Sequence, residues 1–347
     1  MRILIYGAGA VGSYLGGHLA LAGHEVMLLG RPLLVDAVRA HGLRLRLIDG
    51  ERTVRSIEAV ATPDEALSRP HDLIAFTMKA YDTVPAIFEI QQRLVDNVPP
   101  IVSFQNGIGA EDSLRAAFGT ERVIAGTLTS PVSLAEPGLV VEERRRGVAI
   151  ASSAPAARTV ESALRVTGLK LAVLHSAEAL KWSKLLLNLI GNATCAILDM
   201  SPDEVFGDKR LFQVEYQALR EALDIMALQH IPVVNLPGTP ARTLALAIRT
   251  LPAGLLRVLL RKQVSGGRGA KMPSLQASLH SGQRRTEVAW LNGAVVRGAE
   301  AVRRYAPVNH ALALTLSDIA AGRIPWETYR RQPEMLLTAV SAAARRP

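Results

Sequence analysis

One lysine and two asparagines are spaced so that they could form a polar line on an otherwise apolar helix. Lys184, Asn188 and Asn192 stand at i, i+4 and i+8, and leucines and an isoleucine fill most of the positions between them. This spacing predicts that all three share one helix face. Because buried polar groups need partners, the line indicates either a hydrogen-bonded network or a polar cavity. In a cavity Lys184 could protonate a ketone oxygen; in a structural arrangement it would extend to water, and the sequence leaves both open.

Two more polar residues in the second half of the chain could act on a substrate. The carboxylate of Glu287 could accept a hydrogen bond from a substrate hydroxyl, although a first-turn position beside a capping Thr286 would also explain it. Ser274 follows Pro273 and could be an N-cap or a substrate ligand. The single cysteine, Cys195, lies in an apolar stretch, which is typical of a small core residue.

A glycine-rich loop near the start of the chain has the spacing of a dinucleotide site. An apolar run over residues 1–6 leads into Gly7-Ala-Gly9-Ala-Val-Gly12, and a helical pattern follows. The first glycine of such a loop permits a tight turn, the second leaves room for a pyrophosphate, and the third lets the helix pack closely on the sheet. The phosphates would meet the N–H groups and the partial positive charge at the helix N-terminus.

The residue after the next apolar run indicates which dinucleotide binds. Residues 25–29 form that run, and Gly30 and Arg31 follow it, where an NAD-preferring site usually has an acidic residue for the ribose 2′-hydroxyl. A guanidinium can hold a 2′-phosphate through two hydrogen bonds. Arg31 therefore favours NADPH, the alternative being a solvated loop arginine.

Polar residues also follow two other predicted strands of the first half. Lys79 comes after the strand that ends at Met78, and Asn106 after the one that ends at Phe104. In an open α/β sheet, ligands bind outside the carboxyl ends of the strands. We therefore expect both side chains at the crevice of the glycine loop, although Asn106-Gly107 alone would indicate a turn.

The pattern of apolar residues divides the chain into two kinds of structure. Short apolar runs alternate with helical stretches in the first half, which predicts a parallel sheet flanked by helices. We expect strands over 43–48, 53–59, 72–78, 101–104, 123–127 and 169–174, with a hairpin-like pair at 138–142 and 147–151. We expect helices in the second half over 177–195, 202–230, 239–263, 273–281 and 285–305. The predicted domains are 1–172, which binds the dinucleotide, and 173–347, which is all-α.

Composition and charge restrict the class of protein. The chain has 347 residues, 49% of them hydrophobic and 20% charged, which predicts a globular protein of two domains. Its net charge of +9 is scattered, which favours anionic small-molecule substrates over nucleic acid. One cysteine excludes an internal disulfide and a multi-cysteine zinc site, and we expect no metal. The absence of a leader pattern and of a membrane-spanning run predicts a cytoplasmic protein without membrane contact.

Five motifs in order along the chain resemble those of the ketopantoate reductase (2-dehydropantoate 2-reductase) family. They are the glycine loop 7–12, Lys79-Ala-Tyr-Asp-Thr83, Gln105-Asn106-Gly107-Ile-Gly109, the helix with Lys184 and Asn188, and the segment from Gly282 to Gly293. The resemblance spans residues 1–320. It implies an α/β Rossmann-type doubly wound domain followed by an all-α C-terminal domain, and NADPH-dependent reduction of ketopantoate to pantoate, a step of pantothenate biosynthesis.

The resemblance also implies roles for single residues. Lys184 would protonate the ketone oxygen while NADPH delivers hydride to the carbonyl carbon, and Glu287 would receive the substrate hydroxyl. The other implied substrate-binding residues are Asn106, Asn188, Asn192 and Ser274. The implied cofactor-binding residues are Gly7, Gly9, Ala10, Val11, Gly12, Arg31, Lys79 and Asn106.

The sequence departs from the family pattern at several positions, and these concern the substrate. No acidic residue follows Ser274 within 276–279, and Ala289 replaces the aspartate that often follows the glutamate. The stretch 232–270 is long and basic, and could be a regulatory surface or a solvated helix face. Two alternatives therefore stay beside ketopantoate reduction: reduction of another 2-keto acid, and an inactive NADP-binding sensor. The oligomeric state is left open, with a homodimer among the options.

Overall fold

The computed structural model describes residues 1–94, 97–267 and 272–345. The chain folds into two compact units. The first unit comprises Met1–Lys181 with Asn235–Pro240, and the second comprises Trp182–Val234 with Ala241–Pro347.

The first unit is built on two sheets. Its strands are β1 (Arg2–Tyr6), β2 (Glu25–Leu29), β3 (Leu43–Leu47), β4 (Gly50–Val54), β5 (Ile57–Val60), β6 (Leu73–Phe76), β7 (Ile101–Ser103), β8 (Val123–Leu128), β9 (Val132–Glu136), β10 (Leu139–Glu142), β11 (Val148–Ala151) and β12 (Leu171–Leu174). Eight of them form a sheet in the order β12-β11-β8-β7-β6-β1-β2-β5, and four form a second sheet in the order β4-β3-β10-β9. Among the described strands of the larger sheet, only the β8–β11 pair is antiparallel. This is the expected α/β doubly wound arrangement.

Helices cover the larger sheet of the first unit. They are α1 (Ala10–Leu21), α2 (Pro32–His41), α3 (Pro63–Ala66), α4 (Thr83–Arg93), α5 (Ala110–Phe118) and α6 (Ala157–Arg165). Strand β1 shows why the sheet needs cover on both faces: Ile3 and Ile5 belong to one buried cluster, and Leu4 and Tyr6 to another. A strand buried on both faces reads as a continuous apolar run, as this one does.

Two sequence predictions about strands in this unit were wrong. The predicted strand 53–59 is two strands, β4 and β5, which lie in different sheets. The predicted hairpin does not form, because β10 pairs with β3 and β9 whereas β11 pairs with β8 and β12. Arg145, which lies between β10 and β11, donates hydrogen bonds to the carboxylates of Asp49 and Glu142. Alternating apolar residues mark a strand but do not tell which sheet it joins.

The second unit is helical in the part of it that is described. A long helix, α7 (Ala177–Leu189), crosses the division between the units, and the helices after it are α8 (Ala193–Leu198), α9 (Pro202–Gly207), α10 (Lys209–Leu228), α11 (Ala241–Thr250), α12 (Ala253–Gly267), α13 (Ser274–His280), α14 (Asn292–Ala301), α15 (Pro307–Ala320) and α16 (Pro333–Ala344). The all-α expectation for the second half is confirmed. No helix in the described parts of the chain is both long and apolar enough to cross a membrane.

Several predicted helices are shorter than the sequence pattern suggested. The span 177–195 breaks at Gly191, which has a φ of +55°. The span 202–230 breaks where the Asp208 side chain caps α10 by accepting two backbone N–H groups. The span 239–263 is interrupted at Pro252, which cannot donate a backbone hydrogen bond. In 285–305 the first turn is a separate 3₁₀ segment, Glu287–Ala289.

Candidate active site

The glycine loop between β1 and α1 has the shape that each of its glycines requires. Gly7 has a φ of +105°, and a Cβ there would lie 2.5 Å from the backbone nitrogen of Met78. A Cβ at Gly12 would lie 2.5 Å from Thr77 Oγ1, so α1 passes close to the end of β6. By contrast, a Cβ at Gly9 would meet no described atom within 4 Å. The first and third glycines are therefore needed by the fold, and the second faces open space.

The N-terminus of α1 is suited to an anion. Helix α1 begins at Ala10, and its N-cap is Gly9, which has no side chain with which to cap the helix. The first N–H groups of a helix have no acceptor within the helix, and they carry the positive end of its dipole. A dinucleotide pyrophosphate would fit here, since its oxygens can accept these hydrogen bonds and Gly9 leaves room for them.

Three candidate cofactor residues follow the carboxyl ends of neighbouring strands. Strand β1 lies between β2 and β6, and β7 lies beyond β6. Arg31 follows β2, Lys79 follows β6 and Asn106 follows β7. The Arg31 side chain is exposed, whereas Lys79 and Asn106 are half-buried. The order of the strands thus brings all three positions to the edge of the sheet where the glycine loop lies.

The two polar segments after β6 and β7 are joined by a side chain that sequence reasoning did not single out. The Gln105 amide donates to the carbonyl oxygens of Met78 (3.2 Å) and Lys79 (3.3 Å) and to the Thr83 hydroxyl (2.9 Å). Its carbonyl oxygen accepts from the hydroxyl of Ser103 at 3.3 Å. Gln105 is buried and precedes Asn106 in the chain, so it fixes the backbone of both candidate residues.

In the second unit, α7 carries two of the candidate residues. Lys184 and Asn188 are half-buried one helical turn apart, whereas most of their neighbours on α7 are buried. The predicted i+8 partner is not on this helix. Helix α7 ends at Leu189, and Asn192 follows Gly191 as the N-cap residue of α8. The prediction of a three-residue line was wrong because a single glycine in an apolar run does not show whether a helix continues.

Asn192 uses its side chain to connect two segments of the second unit. Its amide nitrogen donates to the Asn188 carbonyl oxygen at 3.0 Å and lies 3.4 Å from Ser274 Oγ. Its carbonyl oxygen accepts the Leu275 N–H at 3.1 Å. Asn192 therefore holds the start of α13 against the end of α7.

The other two candidates of this unit differ in exposure. Ser274 is the first residue of α13, not its cap, and its side chain is exposed. Glu287 is 5% exposed. Thr286 caps the 3₁₀ turn that begins at Glu287, as the sequence predicted, by accepting the Val288 N–H at 3.3 Å.

The far end of α13 is held by Asp199, which lies just after α8. Its carboxylate accepts from Gln276 at 2.9 Å, from His280 at 2.7 Å and from Arg330 at 2.8 Å. Burial opposes ionisation of this carboxyl, but the three donors outweigh burial and hold the pKa of Asp199 below its ordinary value. Gln276, in the segment after Ser274 that has no acidic residue, thus supports the helix that carries Ser274.

The basic stretch 232–270 makes contacts that are structural where it is described. Arg249 donates to the Leu223 carbonyl oxygen at 2.9 Å, and Arg257 to the Gly207 carbonyl oxygen at 2.9 Å. Arg261 forms a two-point ion pair with Asp203 at 2.9 and 2.8 Å. These contacts favour the interpretation as a helix face over that of a regulatory surface. Cys195, also of this unit, is fully buried.

Comparison with known proteins supports one family over most of the chain. The family described as Ketopantoate reductase PanE/ApbA matches residues 3–154, and its C-terminal counterpart matches residues 176–320. The 2-dehydropantoate 2-reductase of Pyrococcus horikoshii is 30% identical over 317 residues, which cover 90% of this chain and 95% of that protein.

Solved structures agree with this assignment. A PanE/ApbA family ketopantoate reductase from Ralstonia eutropha superimposes with a TM-score of 0.77 at 26% identity, covering 93% of this chain and 99% of that one. A D-mandelate dehydrogenase solved with NADH and anilino(oxo)acetate has a TM-score of 0.75 at 22% identity over 93% of this chain and 99% of that one, and shares the fold. With both family descriptions matched in order and a relative 30% identical along nearly its whole length, the chain belongs to the ketopantoate reductase family of oxidoreductases.

Proposed function

We propose that this protein reduces a 2-keto acid with NADPH, and that ketopantoate is the first substrate to test. The relatives named 2-dehydropantoate 2-reductase support the reaction class. The observation that carries the proposal is the pair Lys184 and Asn188, half-buried one turn apart on a helix whose other residues are mostly buried. Such a pair suits a polar substrate better than a packed core.

Lys184 acts in this proposal as the general acid. A nicotinamide dinucleotide supplies the hydride that reduces the carbonyl carbon. The Lys184 ammonium donates the proton that the carbonyl oxygen needs to become a hydroxyl, which makes Lys184 a catalytic residue. Before transfer, its positive charge stabilises the charge that develops on that oxygen.

The remaining candidates of the second unit bind the substrate. Asn188 and the exposed Ser274 hydroxyl bind the polar ends of the substrate. The Glu287 carboxylate accepts a hydrogen bond from the substrate hydroxyl, and we count it among the catalytic residues. Asn192 contributes by orienting Ser274, since both ends of its side chain are engaged at the start of α13. Asn106 is proposed to bind both the substrate and the nicotinamide.

NADPH is the proposed cofactor because of the residues at the strand ends. Gly7, Gly9 and Gly12, with the backbone of Ala10 and Val11, form the pyrophosphate site. Arg31 binds the 2′-phosphate and Lys79 adds a second positive charge at the same edge. We assign residues 1–172 to the dinucleotide-binding domain and 173–347 to the substrate domain.

A second 2-keto acid is also a candidate, because the sequence has no acidic residue over 276–279 and has Ala289 in place of the aspartate that often follows the glutamate. A steady-state screen of 2-keto acids with NADPH and with NADH separates the options. We expect kcat/KM with NADPH to be highest for ketopantoate. A much higher value for another keto acid would replace the substrate but keep the reaction. NADPH binding without turnover of any keto acid would indicate the sensor function instead.

A further inference from the structure

A buried ion pair connects two elements that flank the Asn106 turn, residues 106–109 between β7 and α5. Lys181 and Glu111 are 5% and 4% exposed, and Lys181 Nζ lies 2.5 Å from Glu111 Oε1. Glu111 is in the first turn of α5, directly after the Asn106 turn. Among the described residues this Glu111 oxygen accepts no hydrogen bond, and the Lys181 ammonium supplies the compensating charge. Removing Lys181 would therefore leave a buried carboxylate oxygen without compensation.

The same ammonium holds the other side of the turn. Lys181 Nζ donates to the carbonyl oxygen of Gln105 at 2.7 Å and to that of Ser103 at 3.4 Å. The ammonium therefore donates two hydrogen bonds and also places its positive charge beside the Glu111 carboxylate. The Lys181 side chain thus contacts the backbone just before the Asn106 turn and the Glu111 carboxylate just after it.

The turn needs such support because its backbone is unusual. Gly107 and Gly109 have φ values of +86° and +113°, a region that glycine adopts readily, but glycine also loses more conformational freedom on folding than other residues. Gly109 is also the N-cap of α5 and has no side chain with which to cap that helix. The Gln105 side chain fixes the segment before the turn, and Lys181 contacts the chain on both sides of the turn.

We propose that Lys181 and Glu111 are positioning residues that hold the Asn106 turn in the shape needed for dinucleotide binding. The proposal rests on the proposed function for the role of Asn106, and deepens it. Lys181 stands three positions before Lys184 on α7, so turnover is measured together with binding.

The test uses the full chain with both charges removed, in the double variant Lys181→Met with Glu111→Leu. Replacing both partners of a buried pair by apolar residues of similar size often leaves stability nearly unchanged. We expect a melting temperature near that of the wild type, faster amide hydrogen exchange over 105–111, and weaker NADPH binding. A misplaced positioning element can lower turnover by up to about 100-fold. Unchanged exchange and unchanged NADPH affinity would overturn the proposal.

A charge-swapped variant, Lys181→Glu with Glu111→Lys, tests whether the turn needs the contacts of Lys181 with the two carbonyl oxygens in addition to the ion pair. It restores opposite charges but places a carboxylate against two carbonyl oxygens. We expect no rescue of exchange protection or affinity; full rescue would show that the pair alone suffices and that the carbonyl contacts do not hold the turn. If neither double variant folds, Glu111→Gln gives the same decision, since it keeps the size of the side chain and removes its charge.

Glu142→Gln is the matched control. Glu142 is also buried and paired with a basic residue, Arg145, but it lies on β10 in the four-stranded sheet. We expect this variant to have a lower melting temperature. We expect its amide hydrogen exchange over 105–111 to equal that of the wild type. If wild-type protein reduces no keto acid, the proposed function fails while exchange and NADPH affinity still decide the role of Lys181.

Discussion

At the scale of single residues, the assignment of Lys184 as the proton donor predicts the largest change in turnover. We expect Lys184→Ala to lower kcat by two or more orders of magnitude, because general acid catalysis by one side chain contributes roughly that much. Steady-state kinetics with the best keto acid gives the measurement. Lys209→Ala, which removes an exposed lysine of the same unit, should leave kcat unchanged. Near-normal turnover of Lys184→Ala would remove the residue from the mechanism.

Arg31 allows a test of cofactor preference that does not depend on the substrate. We expect Arg31→Asp to weaken NADPH by about tenfold or more while NADH is spared, since only NADPH has the 2′-phosphate and the new carboxylate would repel it. Fluorescence titration with both dinucleotides measures the two affinities. Arg165→Asp makes the same charge change at an exposed position paired with Glu161, and should alter neither. Equal losses for NADPH and NADH would mean that Arg31 supports the fold instead.

At the scale of elements, the glycine loop separates residues that the fold needs from one that the ligand needs. We expect Gly9→Ala to keep the melting temperature but to weaken NADPH binding, because its Cβ would enter the open space beside α1. Gly12→Ala should lower the melting temperature, because its Cβ would lie 2.5 Å from Thr77 Oγ1 and 2.6 Å from the Gly7 carbonyl oxygen. Thermal unfolding with and without NADPH measures both effects. Equal destabilisation by the two substitutions would contradict this division.

The helices, strands and loops also show which features of the fold and the site could be predicted from the sequence. Strand β1, its glycine loop and the residues after β2, β6 and β7 were predictable because parallel strands end at one edge and each end carries a local signal. The break of α7 was not, because Gly191 gives no sign of the positive φ that ends the helix. The ion pair of Glu111 and Lys181 was not predictable either, because the two residues lie 70 positions apart on different helices and only the tertiary fold brings them together.

At the scale of the whole molecule, the pH dependence of stability should reflect one buried and two half-buried histidines. Burial lowers the pKa of His18, with Arg145 acting in the same direction and Glu142 opposing it, and burial also lowers the pKa of His24 and His71. A histidine with a lowered pKa binds its proton less readily in the folded state than in the unfolded state. Its contribution is therefore complete above the unfolded value of 6.5 and is lost as the pH falls through and below that value.

We expect the melting temperature to decrease between about pH 7.5 and about pH 5.5, measured by thermal unfolding in buffers of constant ionic strength. His18→Gln should flatten this decrease, because the ring nitrogen Nε2 of His18 is buried and has no hydrogen-bonding partner among the described residues. His41→Gln replaces an exposed histidine of the same unit and should leave the slope as it is. A slope that does not change in His18→Gln would assign the effect to other groups.

Cys195 has a practical consequence for following the motions of this protein. It is the chain's one thiol and is 0% exposed, within a unit whose described elements are all helices. A thiol reagent can therefore react only when α8 becomes accessible, and the rate of labelling reports the opening of that helix without any engineered probe. Comparing the rates with and without dinucleotide or keto acid would show which ligand keeps the helical unit closed.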